Sequence, residues 1–146
     1  MKLPSHRSLN AYTGFLLRKV SMAAFSGFAA ACEKQGLHPM HFGLLTMLAD
    51  EGPISQSALA ERAGIDASTM VQRVTVLEDR GLVRRTRSAR DRRLYEIALS
   101  PEGRKVLTQL RREASRSGER LFGVLSTRER EQLHALLLKV AERLER

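Results

Sequence analysis

Residues 54–81 read ISQSALAERAGIDASTMVQRVTVLEDRG, and the punctuation of this stretch leaves little conformational choice. Ser55 stands where a helix needs an N-cap, QSALAERA supplies two turns of good helix formers, and Gly64 is placed to close them. Asp66 is then a second N-cap, for a helix running to Arg80 that Gly81 terminates. Two helices joined by about three residues, one a glycine, are the signature of a helix-turn-helix. On the second helix Met70, Val74 and Leu77 recur at helical spacing and are expected to face the core. Ser68, Gln72 and Thr75 fall on the opposite face, with Thr69 and Arg73 flanking it.

The next stretch changes period. LVRRT and LYEIAL are short, and the second sets Tyr95, Ile97 and Leu99 against Glu96 and Ala98, which predicts two strands of a hairpin. Their ends and loop form RRTRSARDRR (residues 84–93), six arginines against one aspartate, a net +5 within ten residues. Such a concentration of like charge repels itself unless an anion is present. The whole chain carries +9, which also points to an anionic partner. Duplex DNA fits both facts. Its phosphates attract arginine without regard to sequence, and its narrow minor groove draws in single arginine side chains. A hairpin beside a helix-turn-helix can therefore reach the minor groove while the helix occupies the major groove. Asp91 has a role in this scheme: a carboxylate near a loop tip can accept hydrogen bonds from arginine. It would aim Arg93, or lock the loop through Arg90 or Arg92.

The remaining segments read as helices. One runs from about Leu9 to Lys34, with Phe15, Leu16, Val20, Ala23, Ala24 and Phe28 at helical spacing, and ends at Gly36. Pro39 opens a second, which carries Leu44, Leu45, Met47 and Leu48 and stops near Gly52-Pro53. After Ser100-Pro101 a long helix is expected to about Val124. STRE (Ser126–Glu129) is a capping box for a last helix, whose Leu133, Leu137, Val140 and Leu144 form a narrow seam suited to another helix. The expected fold is thus mainly α with a small β-hairpin. At 146 residues the chain is about one domain and can bury a core without disulfides. Its single cysteine, Cys32, fits a reducing compartment. The apolar run MAAFSGFAAAC is short for a bilayer span and lies too far in for a signal peptide. A cytoplasmic protein without a membrane segment is expected.

DASTMVQRVTVLEDRGLVRRTRSARDRRLYEIALSPEG (residues 66–103) resembles the winged helix-turn-helix core of the MarR family of bacterial regulators. Ser68-Thr69 open the recognition helix, LEDRGLV closes it, and DRR (91–93) and LSPEG (99–103) follow in the family's order. The flanking helices fit as well. The resemblance implies a sequence-specific, probing pair of winged helices in a homodimer on a pseudo-palindromic operator, with repression as the usual sign. Residues 1–36 and 101–146 would form the helical dimerisation region, and 37–100 the winged helix-turn-helix. Ser68, Thr69, Gln72 and Arg73 fall where the family contacts DNA. Arg87, Arg90, Asp91, Arg92 and Arg93 form the wing, with Asp91 and Arg93 on its tip acid and minor-groove arginine. Many members have arginine at the position of Gln72 and an apolar residue at that of Arg73, so base preference is expected to differ. Family members often respond to a phenol, aromatic acid or other lipophilic anion, for which Phe15, Met22, His41, Phe42 and Met47 are wall residues by position.

Other constellations are weaker. His38 and His41 are three apart, a spacing that can share a metal, but no Cys, Asp or Glu accompanies them, so no metal or cofactor is expected. Nothing near Cys32 clearly activates its thiol. No nucleophile elbow, phosphate-binding glycine loop or zinc-hydrolase motif is present, which argues against an enzyme. The competing readings are a non-specific architectural nucleic-acid binder without effector response, and a protein-interaction module.

Overall fold

The structure is a computed structural model that describes residues 7–144. The outermost residues of the expected dimerisation region, 1–6 and 145–146, lie outside it. A short 3-10 turn (Arg7–Ala11) is followed by α1 (Thr13–Lys34), α2 (Pro39–Glu51), β1 (Ile54–Ser55), α3 (Gln56–Ala63), α4 (Ala67–Asp79), β2 (Val83–Arg87), β3 (Tyr95–Leu99), α5 (Pro101–Phe122) and α6 (Thr127–Leu144). The chain divides into two compact units, residues 28–113 and residues 1–27 with 114–146. The division falls inside α1 and α5.

The first unit holds the helix-turn-helix and the hairpin. The caps act as their residue types dictate. The Ser55 hydroxyl accepts from the Ala58 amide, and Gly64 closes α3 in the left-handed conformation at φ 64°. Met70, Val74 and Leu77 of α4 are buried, as their spacing predicts. They join Leu44, Leu45 and Leu48 of α2, Leu59 of α3, Ile97 of β3 and Leu107 and Leu110 of α5 in one core. The hairpin is in register from Val83 opposite Leu99 to Arg87 opposite Tyr95. One strand was not expected: β1, only two residues long, pairs antiparallel with β3 and makes a three-stranded sheet of order β1-β3-β2. Two residues carry no period-2 pattern, so this strand exists through its partner and not through local propensity. Cys32 is fully buried in the same core, and burial pushes its thiol pKa up, which favours the protonated form.

The second unit contains the first part of α1, the last part of α5, and α6. The capping box at α6 forms as written: Glu129 accepts from both the backbone amide and the hydroxyl of Ser126. No α6 side chain is buried in the single chain. Leu136, Leu137, Leu138, Val140 and Leu144 are all exposed. Gly27 of α1 faces Ser117 of α5 so closely that a Cβ would collide with the serine hydroxyl. The helix Thr13–Lys34 is long and apolar enough to cross a membrane by length and composition, with mean hydropathy 1.3. The shorter run read from the sequence did not register this. Arg18 and Lys19 within it would oppose insertion.

Candidate nucleic-acid interface

The second helix of the helix-turn-helix, α4, begins with an organised polar cluster. Asp66 accepts from the Thr69 amide (2.9 Å), the Ser68 hydroxyl (2.6 Å) and the Thr69 hydroxyl (2.6 Å). The Ser68 hydroxyl, then that of Thr69, holds the Asp66 carboxyl well below the usual carboxylate range. The chemical consequence is specific. Both hydroxyls spend their protons on Asp66, so outward they offer lone pairs. They can accept from the amino groups of adenine or cytosine in a major groove, but in this arrangement cannot donate to a phosphate. Asp66 was legible in the sequence as the N-cap of α4, but its hydrogen bonds to the Ser68 and Thr69 hydroxyls, which fix their polarity, were not.

Further along α4, Gln72 and Thr75 are exposed and Arg73 is half-buried. Behind the helix lies His41, only 2% exposed. Its Nδ1 accepts from the His38 amide at 3.0 Å, while the His38 Nδ1 accepts from the Met40 amide. The two histidines form a capping box for α2. The His41 pKa is lowered to about 4, by burial first and then by the charges of Arg73, His38 and Arg80. The spacing that suggested a shared metal is thus explained by helix capping, which occupies Nδ1 of both rings. Among the described residues no cluster of three or more His, Cys, Asp or Glu could hold a metal.

The hairpin sorts its six arginines. Arg85 turns back to α4 and pairs with Glu78 at 3.5 Å. Arg87 stacks over the Tyr95 ring, 4.6 Å from its centroid, and donates to the Arg92 carbonyl at 2.6 Å. Arg84, Arg90, Arg92 and Arg93 are exposed. The loop is braced from within by the buried Ser88, which donates to Glu96 and accepts from the amides of Arg90 and Asp91. At the tip, Asp91 accepts from the backbone amide of Arg93 (2.9 Å) and from its guanidinium through both carboxylate oxygens (3.2 Å each). The Arg93 guanidinium, first, and its amide hold the Asp91 carboxyl below its ordinary range. The Arg93 side chain itself is 90% exposed. Of the three arginines that Asp91 could serve, the fold selects Arg93. The result is an ordered, outward-pointing cation on a basic loop, on the same unit as the exposed polar face of α4.

The expected ligand-wall residues have other visible work. Phe42 packs edge-to-face on Phe28 (5.0 Å), Met47 packs on the core, and His41 caps α2. Phe15 and Met22 are half-buried on α1. A cavity of about 490 Å³ lies elsewhere, between α5 and α6 of the second unit, lined by residues that include Phe122, His134 and Leu137 and none of those five.

Helix-turn-helix, polar recognition face and braced basic hairpin together define a winged helix-turn-helix DNA-binding protein. Comparison with known proteins agrees. Residues 35–94 match the profile of the MarR family. A candidate transcriptional regulatory protein for the hcr operon of Thauera aromatica is 35% identical over 136 residues, 92% of this chain and 82% of that one. The structure of the transcriptional repressor CouR bound to a 23-mer DNA duplex superposes with a TM-score of 0.81 at 29% identity, covering 97% of this chain and 99% of CouR. That of Bordetella bronchiseptica BpsR, solved to explain regulation of its DNA binding by 6-hydroxynicotinic acid, gives 0.76 at 26% identity over 95% and 98%. The chain belongs to the MarR family of transcriptional regulators, and its relatives are regulators, not enzymes.

Proposed function

We propose that this regulator acts in the cytoplasm as a homodimeric repressor on a pseudo-palindromic operator, and that a small aromatic or lipophilic ligand releases it. The observation that carries the DNA reading is the wing tip: Asp91 holds Arg93 extended and directed while leaving it 90% exposed. An aimed cation with no fold partner of its own beyond that carboxylate is suited to a narrow minor groove. Ser68, Thr69, Gln72 and Arg73 would lie in the adjacent major groove, with Gln72 on adenine. Arg90 and Arg92 would neutralise phosphates. Arg87, committed to Tyr95 and the Arg92 carbonyl, would serve by stiffening the wing.

Dimerisation through residues 1–36 and 101–146 is supported by the exposed leucines of α6, a face that a single chain leaves in water. Two recognition helices would then reach half-sites roughly 34–36 Å apart. CouR's complex with DNA supports the DNA mode, and BpsR's regulation by 6-hydroxynicotinic acid supports a ligand-controlled one. Phe42 and Met47 in the first unit, and Phe15 and Met22 on α1 in the second, remain the proposed ligand-contacting residues of their own units. His41, which caps α2, would take part only by giving up that role. The test is sedimentation of the protein alone and with a bound duplex, joined to a footprint. Two chains per duplex and two protected half-sites one helical turn apart are expected. A monomer protecting a single site would refute the reading.

A further inference from the structure

The exposed face of α4 carries an apolar component that the polar reading leaves unused. Val71 is 43% exposed. Thr75, one turn on and therefore its neighbour on the helix surface, donates its hydroxyl to the Val71 carbonyl at 2.8 Å. With that proton spent on the backbone, Thr75 adds a methyl group to the same spot. Thr75 is in turn the helix-surface neighbour of Gln72, and Ser68 is one turn before Val71. Val71 therefore lies on the flank of the exposed face of α4, between the buried stripe and the polar stripe of Ser68, Gln72 and Thr75, with the Thr75 methyl beside it; Val76, 38% exposed, lies on the other flank. Packing in this unit does not require Val71, since the core is filled by Met70, Val74 and Leu77. The major groove presents one apolar group, the 5-methyl of thymine.

We propose that Val71, flanked by the Thr75 methyl, is a specificity-determining residue that reads a thymine 5-methyl in each half-site. This rests on the DNA-binding reading above and deepens it. Gln72 favours adenine by two hydrogen bonds, and Val71 favours thymine by apolar contact, so the two neighbours together select A·T steps where α4 enters the groove. Val71 is a reader by shape alone. It distinguishes thymine from uracil, which has the same hydrogen-bonding edge without the methyl, and that makes its contribution separable from every polar contact.

The experiment uses the full-length protein and a duplex recovered by selection from a random library. Each thymine is replaced in turn by deoxyuridine, symmetrically in both half-sites, and dissociation constants are measured for the wild type and for Val71→Ala. Val71 is exposed on α4, so the substitution leaves the core intact, and circular dichroism checks this. One position is expected at which removing the methyl weakens wild-type binding about fourfold per half-site, the factor for about one buried methylene-sized group. Val71→Ala should bind the thymine duplex correspondingly less well and be indifferent to uracil at that position. Wild-type binding that tolerates uracil at every position, or a uracil penalty that persists unchanged in Val71→Ala, overturns the proposal while leaving sequence-specific binding intact. Failure to recover any motif overturns the sequence-specific reading, and the proposal with it.

Discussion

His41 gives the protein a predictable acid sensitivity. Its imidazole is buried, and its Nδ1 is occupied as the acceptor of the His38 amide. Protonation would place a charge in the interior, near the charges of Arg73 and Arg80, and would turn an acceptor into a donor facing another donor. The native pKa is therefore lowered to about 4 from 6.5. The sign follows from linkage. Below pH 6.5 the unfolded chain binds a proton at this residue and the native chain does not, so stability falls as pH drops from 6.5 towards 4 and levels off below. One bound proton corresponds to about 1.4 kcal/mol per pH unit. Between pH 7.5 and pH 5 the loss from this residue is about 2 kcal/mol by the same relation. That interval lies above the range in which the lowered carboxyls of Asp66, Asp91 and Glu129 titrate. Urea unfolding at the two pH values measures the loss. Its control is His41→Gln, which can preserve the capping box through its side-chain carbonyl but cannot titrate, and which should lose far less stability at pH 5. If His41→Gln showed the same loss as the wild type, or if the ring titrated near 6.5 by NMR, burial of a neutral capping histidine would be the wrong description.

Other substitutions test the division of labour. Arg93→Ala should weaken binding to all duplexes and reduce the slope of log affinity against log salt by about one, measured by fluorescence anisotropy. Gln72→Ala should relax the preference at one operator position, at a cost of about 1–3 kcal/mol to the preferred base, read by binding to single-position variants. Gly103→Ala would drive a Cβ into the Leu82 carbonyl and the Leu99 side chain. Because that carbonyl is also held by the Ser100 amide, the change should cost about 1–3 kcal/mol in thermal or urea unfolding.

The sequence was most legible where local chemistry decides conformation. Ser55, Gly64 and Asp66 each perform at the helix ends the role their side chains or lack of one require, so the two helices and the turn between them could be read directly. β1 could not, because its existence depends on pairing Ile54 with Ile97, more than forty residues away. The charge of the hairpin was visible, but its distribution was not. Only the register and the neighbouring helix show that Arg85 belongs to Glu78 and Arg87 to Tyr95. Spacing also left Asp91 with three possible partners, and the loop conformation braced by Ser88 decides among them. The capping role of His38 and His41 was not legible either, because a three-residue spacing at a helix start serves metal ligation and capping equally well. Val71 escaped notice because the apolar period of α4 is complete without it, and only its exposure in the fold marks it as surplus to the core.

The most direct test of the central claim, a winged helix that reads DNA sequence, is selection of binding sites from a random duplex library with the purified protein at two salt concentrations. A recovered pseudo-palindrome, bound with an affinity that falls steeply as salt rises, is the expected result. Salt-sensitive binding without any enriched motif would contradict it and reduce the wing to a non-specific electrostatic clamp.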